Sequence, residues 1–286
     1  MMPAELIERE AYGPVALLTM NRPPVNALDE TLYRAFADRL DELEQDRAVR
    51  VVVLAAAKGL RAFSAGADIK DFERLFEPGE GYRFCRLAHE VNNRFEALPQ
   101  VTIAAIDGAV LGGGAELVLA FDLRVASSSA RIGFPEITVG QVPATGGTLR
   151  LPWMIGESAA RAVLLTGDPL PADRAQALGL FHMVVPPGLA APAALEWAQQ
   201  LAERPAQAVA AIKRSLFANR DRDLAAGTER DSRLSQWVFD GADAREGHRA
   251  FVEKREPRYR HAIPPLNPAV PPSTVRHSNP EQDGDR

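Results

Sequence analysis

The sequence predicts an α/β protein, and three observations carry that expectation. Residues 51–54 and 101–106 are continuous apolar runs closed by Gly59 and Gly108, the pattern of strands buried on both faces. In residues 29–44, Leu32, Phe36, Leu40 and Leu43 recur at helical spacing, leaving Arg39, Asp41, Glu42 and Glu44 to water. Beyond Gly156, helix-favouring stretches follow one another over most of the remaining chain.

Taken in order, residues 15–20 read as a short apolar strand running into the breaker-rich stretch 21–26. Asp29 is placed to cap the helix that follows. A second helical stretch around Leu87, Val91 and Phe95 is stopped by Pro99. Gly112, Gly113 and Gly114 then precede a buried helix opening at 115–120, and two short strands are expected at 123–126 and 131–134. Later helices are expected at 159–166, 172–178, 193–202, 205–217 and 228–239, with Pro205 at a first helical position. In the last of these, Leu234, Trp237 and Val238 form an apolar stripe that meets either the core or another subunit. The expected organisation is a core at 1–195, a helical region at 196–263 and a proline-rich tail at 264–286. That tail has few apolar anchors and is expected to be disordered, with a proline-rich recognition ligand as its functional alternative.

Composition excludes more than it selects. Lys plus Arg at 33 against Asp plus Glu at 38 leaves a net charge of −5, so no global positive field favours nucleic acid. A single cysteine, Cys85, rules out an intrachain disulfide and any multi-thiolate metal site. The first ten residues carry charges where a signal peptide is apolar, and no run approaches the length of a membrane span, which makes the cytoplasm the expected location.

The glycine-rich stretch 108–114 has neither the spaced dinucleotide fingerprint nor the Lys-Ser/Thr of a phosphate loop. No GxSxG elbow is present, and the five histidines are scattered without ligand spacing. What remains is bare backbone N–H groups receiving charge on a substrate oxygen, from the turn 63–68 and from Gly112 to Gly114 at a helix start. Taken in isolation, three glycines read first as tight helix packing or a flexible loop, and the residue that follows them reverses that preference. Glu116 sits in an otherwise apolar helix opening, where an unpaired carboxylate costs several kcal/mol to bury. Glu136, after Phe134 and Pro135, is a second acid among apolar residues. Two such carboxylates fit acid/base work on water, although each alone reads as a helix cap or a surface residue.

Five motifs in order, spanning roughly residues 5–260, resemble the crotonase (enoyl-CoA hydratase/isomerase) superfamily. They are NRPPVNAL at 21–28, AGADIK at 65–70, GAVLGGGAEL at 108–117, FPEI at 134–137 and PATGGTLRL at 143–151. The resemblance implies a spiral of ββα turns with a C-terminal helical region that makes trimers, often paired into hexamers. It implies that the N–H groups of Ala67 and Gly113 hold a thioester oxygen, that Glu116 activates water, and that Glu136 delivers the α-carbon proton. Syn hydration of a trans-2-enoyl-CoA is the implied reaction. Isomerase or dehydratase chemistry on an acyl-CoA, or a non-catalytic RNA-binding relative, are the alternatives. By the same resemblance Val25, Ala27, Ala65, Asp68, Ile69 and Lys70 touch the CoA arm, and Phe251 and Lys254 reach a neighbouring subunit's CoA. No metal or redox cofactor is implied, since coenzyme A belongs to the substrate. Gln141, Thr145 and Leu149 depart from the residues many hydratases carry, and Gly133 is expected to open space beside the acyl pocket.

Overall fold

Alternation of side chains along buried strands creates two opposed apolar faces, and the chain is organised around both. A computed structural model describes residues 5–68, 70, 72–218 and 241–260. Strands β1 (Ile7–Tyr12), β2 (Val15–Met20) and β3 (Val51–Ala56) lie side by side, with helix α1 (Glu30–Gln45) crossing between the last two. After α2 (Phe72–Leu75) and α3 (Glu80–Ala97), β4 (Val101–Ile106) joins the same sheet, and β5 (Ala109–Leu111) turns away into a second one. Helix α4 (Gly113–Leu119) and strands β6 (Leu123–Ser127) and β7 (Arg131–Gly133) repeat that turn.

The rest of the described chain is mostly helical. A 3-10 helix (Pro135–Val139) precedes α5 (Gly147–Ile155), α6 (Glu157–Thr166), the short β8 (Leu170–Pro171) and α7 (Ala172–Ala177). Strand β9 (Met183–Val185) and helices α8 (Ala190–Ala202), α9 (Ala206–Ala218) and α10 (Ala242–Glu253) follow. The larger sheet runs β1-β2-β3-β4-β6-β9, parallel except for β1 against β2, and the smaller runs β5-β7-β8. This is an α/β spiral of ββα turns, as the resemblance implies.

One face of the large sheet, with Leu18, Val52, Leu54, Ala104 and Ile106, packs into a core shared with α1, α3 and α4. The other face, with Leu17, Val51, Val53, Ile103 and Val125, is covered by Ala190, Ala194, Ala198 and Ala202 of α8. Alanine at every fourth position lets the helix axis come close to the strands. The expected boundary at 195 therefore falls inside one continuous helix that packs on the sheet.

Asp29 caps α1, its side chain accepting from Leu32 N at 2.8 Å, an interaction worth about 1 kcal/mol. Two strands of the large sheet escape the sequence pattern. In β1 only Ile7 is buried among charged neighbours, as befits an edge, and β9 is three residues in a region dominated by helix. The expected helix at 228–239 and the tail at 264–286 lie outside the described residues. Among the described residues no helix is long and apolar enough to cross a membrane.

Candidate active site

A cavity of about 290 Å³ is lined by Ala67, Gly113, Glu116 and Glu136 together with Leu28, Tyr33, Phe84, Cys85, Gln141 and Thr145, among others. The four residues expected to do chemistry thus meet on one surface, although they come from three separate segments. Glu116 is 2% exposed on a helix whose seven residues are all buried. Its Oε1 accepts from Thr145 N at 2.8 Å and Gly147 N at 2.7 Å, and its Oε2 accepts from Thr145 Oγ1 at 2.5 Å. Burial pushes its pKa above the ordinary carboxylate value, while those three hydrogen bonds and the Arg150 charge work in the other direction.

Glu136 stands on the 3-10 helix, half-buried, and its Oε2 has no hydrogen-bond partner among the described residues. Burial, reinforced by the nearby charge of Glu116, pushes its pKa from 4.5 to about 7. The two carboxylates therefore differ in kind. One accepts three hydrogen bonds from the protein, and the other is left able to hold or release a proton near neutrality.

The backbone donors come from two loops pressed together. Leu28 N donates to Gly66 O at 2.7 Å and Asp68 N donates to Leu28 O at 2.9 Å, so the intervening amide of Ala67 turns away from Leu28. Gly113 opens α4, where the first amides have no partner within the helix. A Cβ built on Gly113 would lie 3.8 Å from Ala67 N, which places the two amides at one corner of the cavity. Each glycine before Glu116 has its own reason. A side chain on Gly114 would meet Ser64 at 2.6 Å, and one on Gly112 would sit 3.0 Å from Glu136 Oε1. Close packing and access to bare amides are both true of this stretch, at different residues.

The sequence profile of the family described as Enoyl-CoA hydratase/isomerase matches residues 10–262. The chain belongs to this family, the crotonases. It is 34% identical over 247 residues to a probable enoyl-CoA hydratase of Bacillus subtilis, covering 86% of this chain and 95% of that one. It is 34% identical to the short-chain-enoyl-CoA hydratase of Clostridium acetobutylicum, covering 88% and 95% of the two chains. A crystal structure of enoyl-CoA hydratase from Bacillus anthracis superposes with a TM-score of 0.84 at 34% identity, covering 90% of this chain and 99% of that one.

In this crotonase the segments at 21–28 and 63–68 are stitched into one unit. Ala65 N donates to Val25 O at 2.9 Å, and the Asn26 side chain donates to Phe63 O at 2.9 Å. Arg22 reaches Ala27 O, Asp29 and Asp68 at 2.9, 2.8 and 2.7 Å, so Asp68 is committed to an ion pair within the protein. Val25, Ala27, Ala65 and Asp68 are thereby neighbours, whereas Lys70 is exposed and Ile69 lies outside the described residues. Lys254 is exposed on the C-terminal segment and does not line the cavity. Phe251 falls in α10, with its side chain outside the described residues.

One expectation needs correction. A Cβ on Gly133 would lie 2.9 Å from Pro169 Cα, so Pro169 fills the space that this glycine was expected to open beside the acyl pocket. Leu149 is 53% exposed on α5 and does not line the cavity, unlike Gln141 and Thr145. Sequence reasoning missed Tyr33, Asn26 and Arg22 as parts of the site. Tyr33 is three positions before Phe36 on the buried face of α1, so its burial was readable, but no local signal reveals where its hydroxyl goes.

Proposed function

We propose that this crotonase is an enoyl-CoA hydratase, adding water syn across the double bond of a trans-2-enoyl-CoA. The observation that carries the reading is the convergence of a Glu116 held by three hydrogen bonds and a Glu136 with pKa about 7 on one apolar cavity beside two free-facing amides. In this reading the amides of Ala67 and Gly113 hold the thioester oxygen. Ionised Glu116 takes a proton from water as the hydroxyl oxygen bonds the β-carbon, and the double-bond electrons move onto the thioester as an enolate. Glu136 then gives its proton to the α-carbon, the enolate collapses, and the proton on Glu116 replaces the one Glu136 lost. An oxyanion donor contributes about 3 kcal/mol to such a step, and positioned acid/base groups about 10²- to 10⁴-fold.

Two further points belong to this reading. The named hydratases among the relatives support it, and the exposed apolar side chains Val139, Val142, Leu149 and Trp153 support assembly into a trimer or hexamer. The test is loss of the conjugated-thioester absorbance of crotonyl-CoA and of longer enoyl-CoAs. Glu136→Gln is expected to abolish it. No hydration of any enoyl-CoA by the wild type sinks the proposal, and double-bond migration that survives Glu116→Ala replaces it with an isomerase.

A further inference from the structure

A carboxylate offers about four lone-pair positions, and three of those on Glu116 are already occupied by Thr145 N, Gly147 N and Thr145 Oγ1. A threonine hydroxyl has one proton. With that proton committed to Glu116 Oε2, Thr145 Oγ1 can only accept from any other neighbour. The direction of donation is therefore Thr145 to Glu116. Both side chains are buried, at 5% and 2% exposure, so bulk water does not compete for this bond. Thr145 is itself held from behind, since Asn92 Nδ2 on α3 donates to its carbonyl at 3.0 Å.

We infer that Thr145 is a positioning residue for Glu116, fixing the carboxylate's orientation through its backbone and hydroxyl bonds and leaving one lone pair of Oε2 for the reacting water. The inference rests on the hydratase reading for its catalytic consequence and on geometry alone for the Thr145–Glu116 bonds.

The other ionisable groups around Glu116 are few. Burial and the Glu116 charge push both Tyr33 and Cys85 up, so each stays neutral near pH 7. Arg150 on α5 is spent on Glu96 at 2.9 Å and Asn93 at 2.6 Å, and burial together with the Arg150 charge pushes His89 on α3 down. Glu136 is the remaining group that titrates near neutrality, and it acts as an acid. A base works only when ionised, so Glu116 governs the acidic limb of the pH profile and Glu136 the basic limb, as apparent values of a coupled pair. A donor that favours the charged form lowers the acidic limb, and removing it moves that limb upward.

Thr145→Val keeps the backbone N–H and the shape while deleting the hydroxyl. The acidic limb of kcat/KM for crotonyl-CoA is expected to rise by about one pH unit, a loss of about tenfold below the limb. Thr145→Ser is expected to restore it. Infrared titration of the Glu116 carboxylate against a Glu116→Gln blank reads the same shift without turnover. If the wild type hydrates no enoyl-CoA, the hydratase reading falls and the infrared shift alone judges the role of Thr145. An unmoved titration in Thr145→Val, with activity lowered equally at every pH, overturns the inference. Should Thr145→Val fail to fold, Thr145→Ala takes its place with the same readouts.

Discussion

Gly66 lies with its α-carbon face against the backbone of Gly113, so that a Cβ added at Gly66 would stand 3.3 Å from Gly113 N and 2.9 Å from Leu111 O. Its φ of 90° is a left-handed value that side chains rarely adopt. The spacing between the amides of Ala67 and Gly113 thus depends on the absence of a side chain at 66. Gly66→Ala is expected to separate the two loops, lowering kcat/KM for enoyl-CoA hydration by about 10²-fold or more and stability by about 1–3 kcal/mol. Paired kinetic and denaturant-unfolding measurements check both effects.

Glu136 links the proposed catalysis to stability through one proton. Its folded pKa of about 7 stands above the ordinary 4.5, so the folded state binds more protons than the unfolded state between those values. Stability is then expected to fall as pH rises through this window. Glu136→Gln is expected to remove that dependence and to unfold at higher denaturant than the wild type at pH 8, while losing hydration. Unfolding curves at pH 5 and pH 8 decide the matter, and equal slopes for both proteins would contradict it.

Arg22 neutralises two carboxylates at once, and Asp29 and Asp68 come from different segments. Burial works against ionisation of Asp68, but the Arg22 hydrogen bond, the Lys70 backbone N–H and the charges of Arg22 and Lys70 together outweigh it and hold that carboxyl below its ordinary range. Arg22→Met is expected to leave two facing acids unpaired, costing about 1–3 kcal/mol because the group is partly exposed. Release of the loop joining 21–28 to 63–68 should raise KM for acyl-CoA more than it lowers kcat, which steady-state kinetics will show.

Gly133 offers a control on the acyl pocket. Because Pro169 already occupies the position of a side chain there, Gly133→Ala is expected to overpack β7, destabilising by about 1–3 kcal/mol. Preference among enoyl-CoA chain lengths should stay unchanged. A changed preference in a chain-length series would return this residue to the pocket.

Much of this was legible in residues 51–54, 101–106 and 29–44, because a buried strand or an amphipathic helix writes its period into adjacent positions. Glu116 and Glu136 were legible for a related reason, as carboxylates stranded among apolar neighbours. Strand β1 was hidden by its charged edge, and β9 by its brevity.

The sequence by itself determined the α/β class and the family, and it marked Glu116 and Glu136 as acids set among apolar neighbours. Only the tertiary structure decided that Thr145 bonds Glu116, that Arg22 clamps Asp29 to Asp68, and that Pro169 fills the space beside Gly133. The reason is physical. Periodicity and local composition follow from backbone geometry over a few residues, whereas a hydrogen bond between segments far apart in the chain exists only once the sheets and helices between them have closed.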